Sequence, residues 1–101
     1  MNRIGFKLKR IFSKHIYTPM KWMLTKNRYP EQIESISFVL NNSLTYLDKT
    51  ALLDLFLAVK SVEQLSGKGT IIEAGCALGG SAIVIASAKN KTRTFQIFDT
   101  F

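Results

Sequence analysis

A chain of 101 residues, 47% of them hydrophobic, has the apolar material for one small domain and lies outside the composition of disordered proteins. Its single cysteine, Cys76, excludes an internal disulfide framework, so a reducing cytoplasm is the simplest compartment. The net charge of +7 comes entirely from residues 1–30, which hold eight Lys/Arg (Arg3, Lys7, Lys9, Arg10, Lys14, Lys21, Lys26, Arg28) and no acid, against six Lys/Arg and seven Asp/Glu in residues 31–101. The pI near 9.8 therefore describes an arm and says little about the body.

Residues 3–17 have helical periodicity. At 100° per residue Arg3, Lys7, Arg10 and Lys14 fall in a sector roughly 60° wide, beside a broad face of Ile4, Leu8, Ile11, Phe12 and Ile16. No apolar run reaches the roughly 18 residues of a membrane span. The start also lacks the uninterrupted apolar core of a secretory signal, and with Ser13 its only serine before Pro19 it is a poor transit peptide. Pro19 is expected to interrupt the helix, a second short helix is expected over 20–28, and Pro30 should end it. Residues 31–42 suit either a helix (Ile33, Ile36, Val39, Leu40) or an extended run, with Asn41-Asn42-Ser43 as a break.

Asp48 is a natural N-cap for a helix running to about Leu65, with Leu52, Leu55, Phe56, Val59 and Val62 as its core face and Gly67 at its C′ position. Thr70-Ile71-Ile72-Glu73 reads as a short strand. Gly79 or Gly80 opens a helix through Ala88, and Arg93 to Phe98 reads as a second strand closed by Asp99. The expected fold class is thus α/β: N-terminal helices, then the first βαβ unit of a Rossmann-like parallel sheet, truncated at residue 101, with a right-handed crossover. Two regions are expected, a basic amphipathic helical arm (1–30) and the α/β part (31–101).

The chemistry lies in residues 70–81. A parallel strand that turns into a helix aims its next backbone N–H groups at one spot, where the helix dipole adds positive charge. Gly75 lets the chain turn with an unusual φ, and Gly79 and Gly80 remove Cβ atoms that would obstruct a ligand or the approach of strand to helix. Asp99, twenty positions after Gly79, ends the adjacent strand, where a carboxylate can accept from both hydroxyls of a ribose. Aligned from Gly75, the dinucleotide pattern Gly-x-Gly-x-x-Gly finds Ala77 at its third position, which weakens an NAD reading. Ser66-Gly67-Lys68-Gly69-Thr70 precedes the strand and lacks the earlier glycine of a P-loop.

What remains, Glu73-x-Gly75-x-x-x-Gly79 with Asp99 after the next strand, resembles class I S-adenosylmethionine-dependent methyltransferases. Ile72-Glu73-Ala74-Gly75, then Gly79-Gly80-Ser81, then Phe98-Asp99-Thr100-Phe101 look more narrowly like the macrocin O-methyltransferase (TylF-type) group. The likeness covers roughly residues 43–101. It implies S-adenosylmethionine as cofactor, with Gly75, Cys76 and Gly79 giving backbone contacts, Ser81 meeting the methionine carboxylate, Asp99 holding the ribose, and Glu73 orienting the loop or meeting the cofactor's amino group. It also implies a hydroxyl acceptor on a small molecule or sugar, and a divalent cation held by residues this chain does not carry. On that likeness the 101-residue piece is expected to be inactive alone, and no catalytic residue is assigned.

Simpler roles compete at each position. Glycines after a strand are often turn punctuation; Cys76 has no base beside it, since the only histidine, His15, lies in the basic arm. Glu73 and Asp99 could be capping acids, and Phe95, Phe98 and Phe101 read as core. The arm has no zinc spacing, aromatic-interleaved strand or recognition-helix pattern, which speaks against nucleic acid. Its stripe of Arg3, Lys7, Arg10 and Lys14 fits weak contact with an anionic membrane surface, Tyr17 and Trp22 being interfacial residues, or else a solvated helix packed by its apolar face.

Overall fold

In the computed structural model, residues 18–66, 68–75 and 78–99 are described. The chain divides into two compact units, Met1–Pro30 and Glu31–Phe101. The expected helix over 3–17, with Arg3, Lys7, Arg10 and Lys14, lies outside the described residues, as do Gly67, Cys76 and Phe101.

Within the first unit, residues 18–28 are helical. Pro19 lies at the second described position of this helix, where its fixed φ is a helical one, and the helix it is expected to interrupt lies outside the described residues. Near the other end the Thr25 hydroxyl donates to the Lys21 carbonyl (2.7 Å) and the Tyr29 amide donates to the Thr25 carbonyl (2.8 Å). Pro30 follows as the stop.

The second unit is α/β. Its elements are α1 (Glu34–Asn41), α2 (Lys49–Leu65), β1 (Ile71–Ala74), α3 (Gly80–Ala88) and β2 (Phe95–Phe98). The ambiguous stretch before residue 42 becomes helix because that brings Ile36 and Val39, and Ile33 just before them, onto one buried face; strand alternation would have split the set. The expected break is a turn in which the Leu44 amide donates to the Val39 carbonyl at 3.0 Å and Ser43 takes a left-handed φ of 53°. Asp48 caps α2 as expected, accepting from the Ala51 amide at 2.8 Å. The buried stripe of α2 is Leu52, Leu53, Phe56 and Val59, while Val62 is exposed. The stripe thus runs through Leu53 and stops a turn earlier than the spacing alone suggests.

The three helices pack on one another. Phe56, Ile33, Ile36, Leu52, Leu53, Val39 and Val84 are fully buried, and α3 adds Ala82, Ile85 and Ala88. The small residues of α3 let it sit close to its neighbours. A polar seam runs along the same contact: the Ser87 hydroxyl lies 2.6 Å from that of Ser35, and the Lys60 ammonium donates to the Gln32 side-chain oxygen at 2.6 Å.

The two strands pair in parallel, with Ile71 opposite Phe95, Ile72 opposite Gln96, Glu73 opposite Ile97 and Ala74 opposite Phe98. One face of this ribbon is open: Ile72 is 61% and Phe98 57% exposed. Phe98 is therefore not the core residue its aromatic character suggested; it points, with Ile72, to the row that the helices do not cover.

Arg93 explains why β2 starts later than expected. It is buried, and its guanidinium binds Glu63 of α2, the Ser66 carbonyl, and the carbonyls of Lys68 (2.9 Å) and Gly69 (3.1 Å). One side chain thus ties the end of α2, the link into β1 and the entry to β2. Those four oxygens need a fork of donors that no other side chain supplies. Replacing Arg93 by Met should lower stability by about 3 kcal/mol in a urea titration, since it leaves a shielded carboxylate and three carbonyls without their donor. Glu63→Gln, which keeps an acceptor oxygen, should cost clearly less in the same measurement.

Candidate functional site

The turn leaving β1 and the first residue after β2 form the candidate site. Gly75 takes a left-handed φ of 75° and donates its amide to the Phe98 carbonyl at 2.8 Å. That bond carries the parallel pairing one step past Ala74 opposite Phe98. Asp99, the residue after Phe98, is thereby set beside Gly75. The pleat alternates, so Glu73, Gly75, Ile97 and Asp99 belong to one row. Glu73 and Asp99, the two acids of the expected site, thus share a sheet face at its carboxyl end, and both are half-buried.

Glu73 is held from the far side of the turn. Its Oε1 accepts from the Ser81 hydroxyl at 2.8 Å, which links the end of β1 to the first turn of α3. That bond occupies the one proton of the Ser81 hydroxyl.

Two glycines of the turn are required by conformation. Gly79 is the N-cap of α3 with φ 87°, and a Cβ built on either Gly75 or Gly79 meets no atom within 4 Å. The space around them is open, so what selects glycine is the left-handed backbone. Gly80 is different. A Cβ there would lie 2.3 Å from the Leu44 carbonyl oxygen and 2.7 Å from the Val39 side chain, while its amide donates to that same Leu44 oxygen at 2.8 Å. The missing Cβ at 80 therefore makes room for the turn after α1, not for a ligand or for β1 as the sequence had suggested. Leu44 is the participant that sequence reasoning missed. The only signal for it was the break at Asn41-Asn42-Ser43, whose destination is a tertiary fact.

Cys76 lies outside the described residues, and with it the middle of the turn. Arg93 precedes β2 and sits at the opposite end of the strand from Asp99. Among the described residues no group of three or more His, Cys, Asp or Glu could hold a metal ion, and no helix is long and apolar enough to cross a membrane. The arrangement offers acceptors from two carboxylates, backbone donors at a helix start and open space beside the left-handed Gly75 and Gly79: recognition elements for a ligand bearing hydroxyl and amino groups. Compared with protein-family models, curated proteins and solved structures, the chain matches none.

The neighbouring glycines should separate cleanly under alanine substitution. Gly79→Ala meets open space and strains only the backbone, costing about 1 kcal/mol. Gly80→Ala forces Leu44 or α3 to move and should cost about 3 kcal/mol. Chemical denaturation of the two variants beside the parent checks the order.

Proposed function

We propose that the unit from β1 through α3 to β2 binds S-adenosylmethionine, as part of a Rossmann-like class I methyltransferase directed at a hydroxyl acceptor. The observation that carries the reading is the Gly75 amide on the Phe98 carbonyl, which seats Asp99 beside an open left-handed bend. The resemblance of Glu73-x-Gly75-x-x-x-Gly79 and Phe98-Asp99 to that family supplies the identity of the ligand.

The residues fit the group. A bend whose two glycines face empty space can admit the methionine end of the cofactor against the backbone of Gly75, Cys76 and Gly79. Asp99 accepts from the ribose hydroxyls. Glu73 is bonded to Ser81 through one oxygen, and its carboxylate would accept from the cofactor's ammonium group. When bound, S-adenosylmethionine supplies an electrophilic methyl on its sulfonium; the protein's part is to fix that methyl in line with a nucleophile. No residue of this chain is assigned to deprotonating the acceptor. The sugar-type acceptor and the divalent cation rest on the resemblance alone. A dinucleotide is the weaker alternative, for the third position of its fingerprint is Ala77.

Calorimetric titration of the chain with S-adenosylhomocysteine, and separately with NAD, tests this. Saturable binding of the first and none of the second is expected. Asp99→Ala should weaken the binding at least tenfold, about 1.4 kcal/mol. Absence of binding, tighter binding of NAD, or indifference to Asp99→Ala would remove the proposal.

A further inference from the structure

The helix over residues 18–28 in the first unit carries a surface that the cofactor reading leaves unused. At 100° per residue, Met20, Met23 and Leu24 fall within a sector roughly 100° wide. All three are open to solvent, at 50%, 57% and 60% exposure. The opposite side of the helix carries buried Thr25 and half-buried Thr18 and Trp22, so the exposed stripe is not the face by which this helix is covered. Cations flank it on both sides: Lys21 and Arg28 lie beyond Leu24, and Lys26 lies beyond Met23. The whole of residues 1–30 contains no acid to oppose them.

We propose that this helix is a docking surface for an anionic phospholipid bilayer, lying in the plane of the interface with Met20, Met23 and Leu24 entering the acyl boundary. Charge complementarity selects the occupant. Eight cations without an acid in 30 residues repel another copy of the same unit and any basic partner. An exposed apolar stripe adds nothing to binding of a polyanion such as nucleic acid, whereas it is what an interfacial helix inserts. The cations at the stripe's margins match the geometry in which Lys and Arg lay their alkyl stems along an apolar surface and raise their charges to the headgroups. Unbranched methionine adapts to an irregular acyl surface. The Arg28 guanidinium lies 5.5 Å from the centre of the Tyr29 ring. The proposal is independent of cofactor binding and adds a described surface to the stripe of Arg3, Lys7, Arg10 and Lys14.

Vesicle co-sedimentation of the whole chain tests it, with phosphatidylcholine alone and with about one-third phosphatidylserine. Binding to the anionic vesicles is expected to be at least about tenfold tighter and to weaken with salt. The double variant Met23→Ser/Leu24→Ser, which leaves every charge in place, should lose about tenfold or more of that binding; Lys26→Glu/Arg28→Glu should do the same. These residues are exposed, and unchanged circular dichroism verifies that each variant keeps the parent's fold. Three results would overturn the proposal: no binding to anionic vesicles, equal binding by the Ser double variant, or an equally tight association with duplex nucleic acid that ignores Met23 and Leu24.

Discussion

At Gly80 a backbone carbonyl, a valine side chain and the first amide of a helix meet where no Cβ could fit. The contact fixes the start of α3 against the turn that follows α1, and the rest of the site is hung from that point. Ser81, the next residue, reaches back to Glu73 at the end of β1. Two residues on, Gly75 reaches across to the Phe98 carbonyl, and Asp99 follows. Each link is a single hydrogen bond, individually worth about 1 kcal/mol. Their effect is positional: the apolar packing of three helices sets α3, and α3 sets the bend and its acids.

The distribution of burial explains why the candidate site lies where it does. The core is made by helices, with Phe56, Ile36, Leu52 and Val84 at its centre, while the two four-residue strands keep one face open at Ile72 and Phe98. A parallel pair this short is marginal by itself. Arg93 compensates at one end by drawing the carbonyls of Ser66, Lys68 and Gly69 and the carboxylate of Glu63 to one guanidinium. At the other end the Gly75 amide continues the pairing onto the Phe98 carbonyl. Arg93 thus anchors the entry to the sheet, and the candidate site lies at the carboxyl end of the strands.

Local chemistry was legible wherever it is decided within a few residues. Asp48 capping α2, the left-handed turn at Gly75, the strand–helix–strand order and the arrival of Asp99 beside the bend all follow from propensity and spacing. What sequence spacing misplaced depends on partners far along the chain. Gly80 looks like its neighbour Gly79 until Leu44, thirty-six positions earlier, is known to occupy the space. Val62 continues the helical period of α2 but is 44% exposed, while Leu53 is buried. Arg93 looked like the first residue of an alternating strand, because nothing local reveals that Glu63 and three carbonyls converge on it. Phe98 has the composition of a core residue and sits on the uncovered row. In each case the residue type was compatible with two environments, and the tertiary contact chose.

The charge of the chain is better understood when set against the ligand proposed for its second unit. At neutral pH S-adenosylmethionine carries a sulfonium, an ammonium and a carboxylate, a net positive charge, and the site offers it the carboxylates of Glu73 and Asp99 on one sheet row. Eight cations in residues 1–30 do nothing to attract such a ligand and at long range oppose it. A dinucleotide with its pyrophosphate would reverse that sign, yet the bend that would receive it has a side chain, Ala77, where the pyrophosphate must come closest to the backbone. On the two proposals made above, the basic segment and the acidic site therefore answer to different ligands. The exposed Met20, Met23 and Leu24 between cations supply the first with an apolar component that a purely electrostatic role would not require.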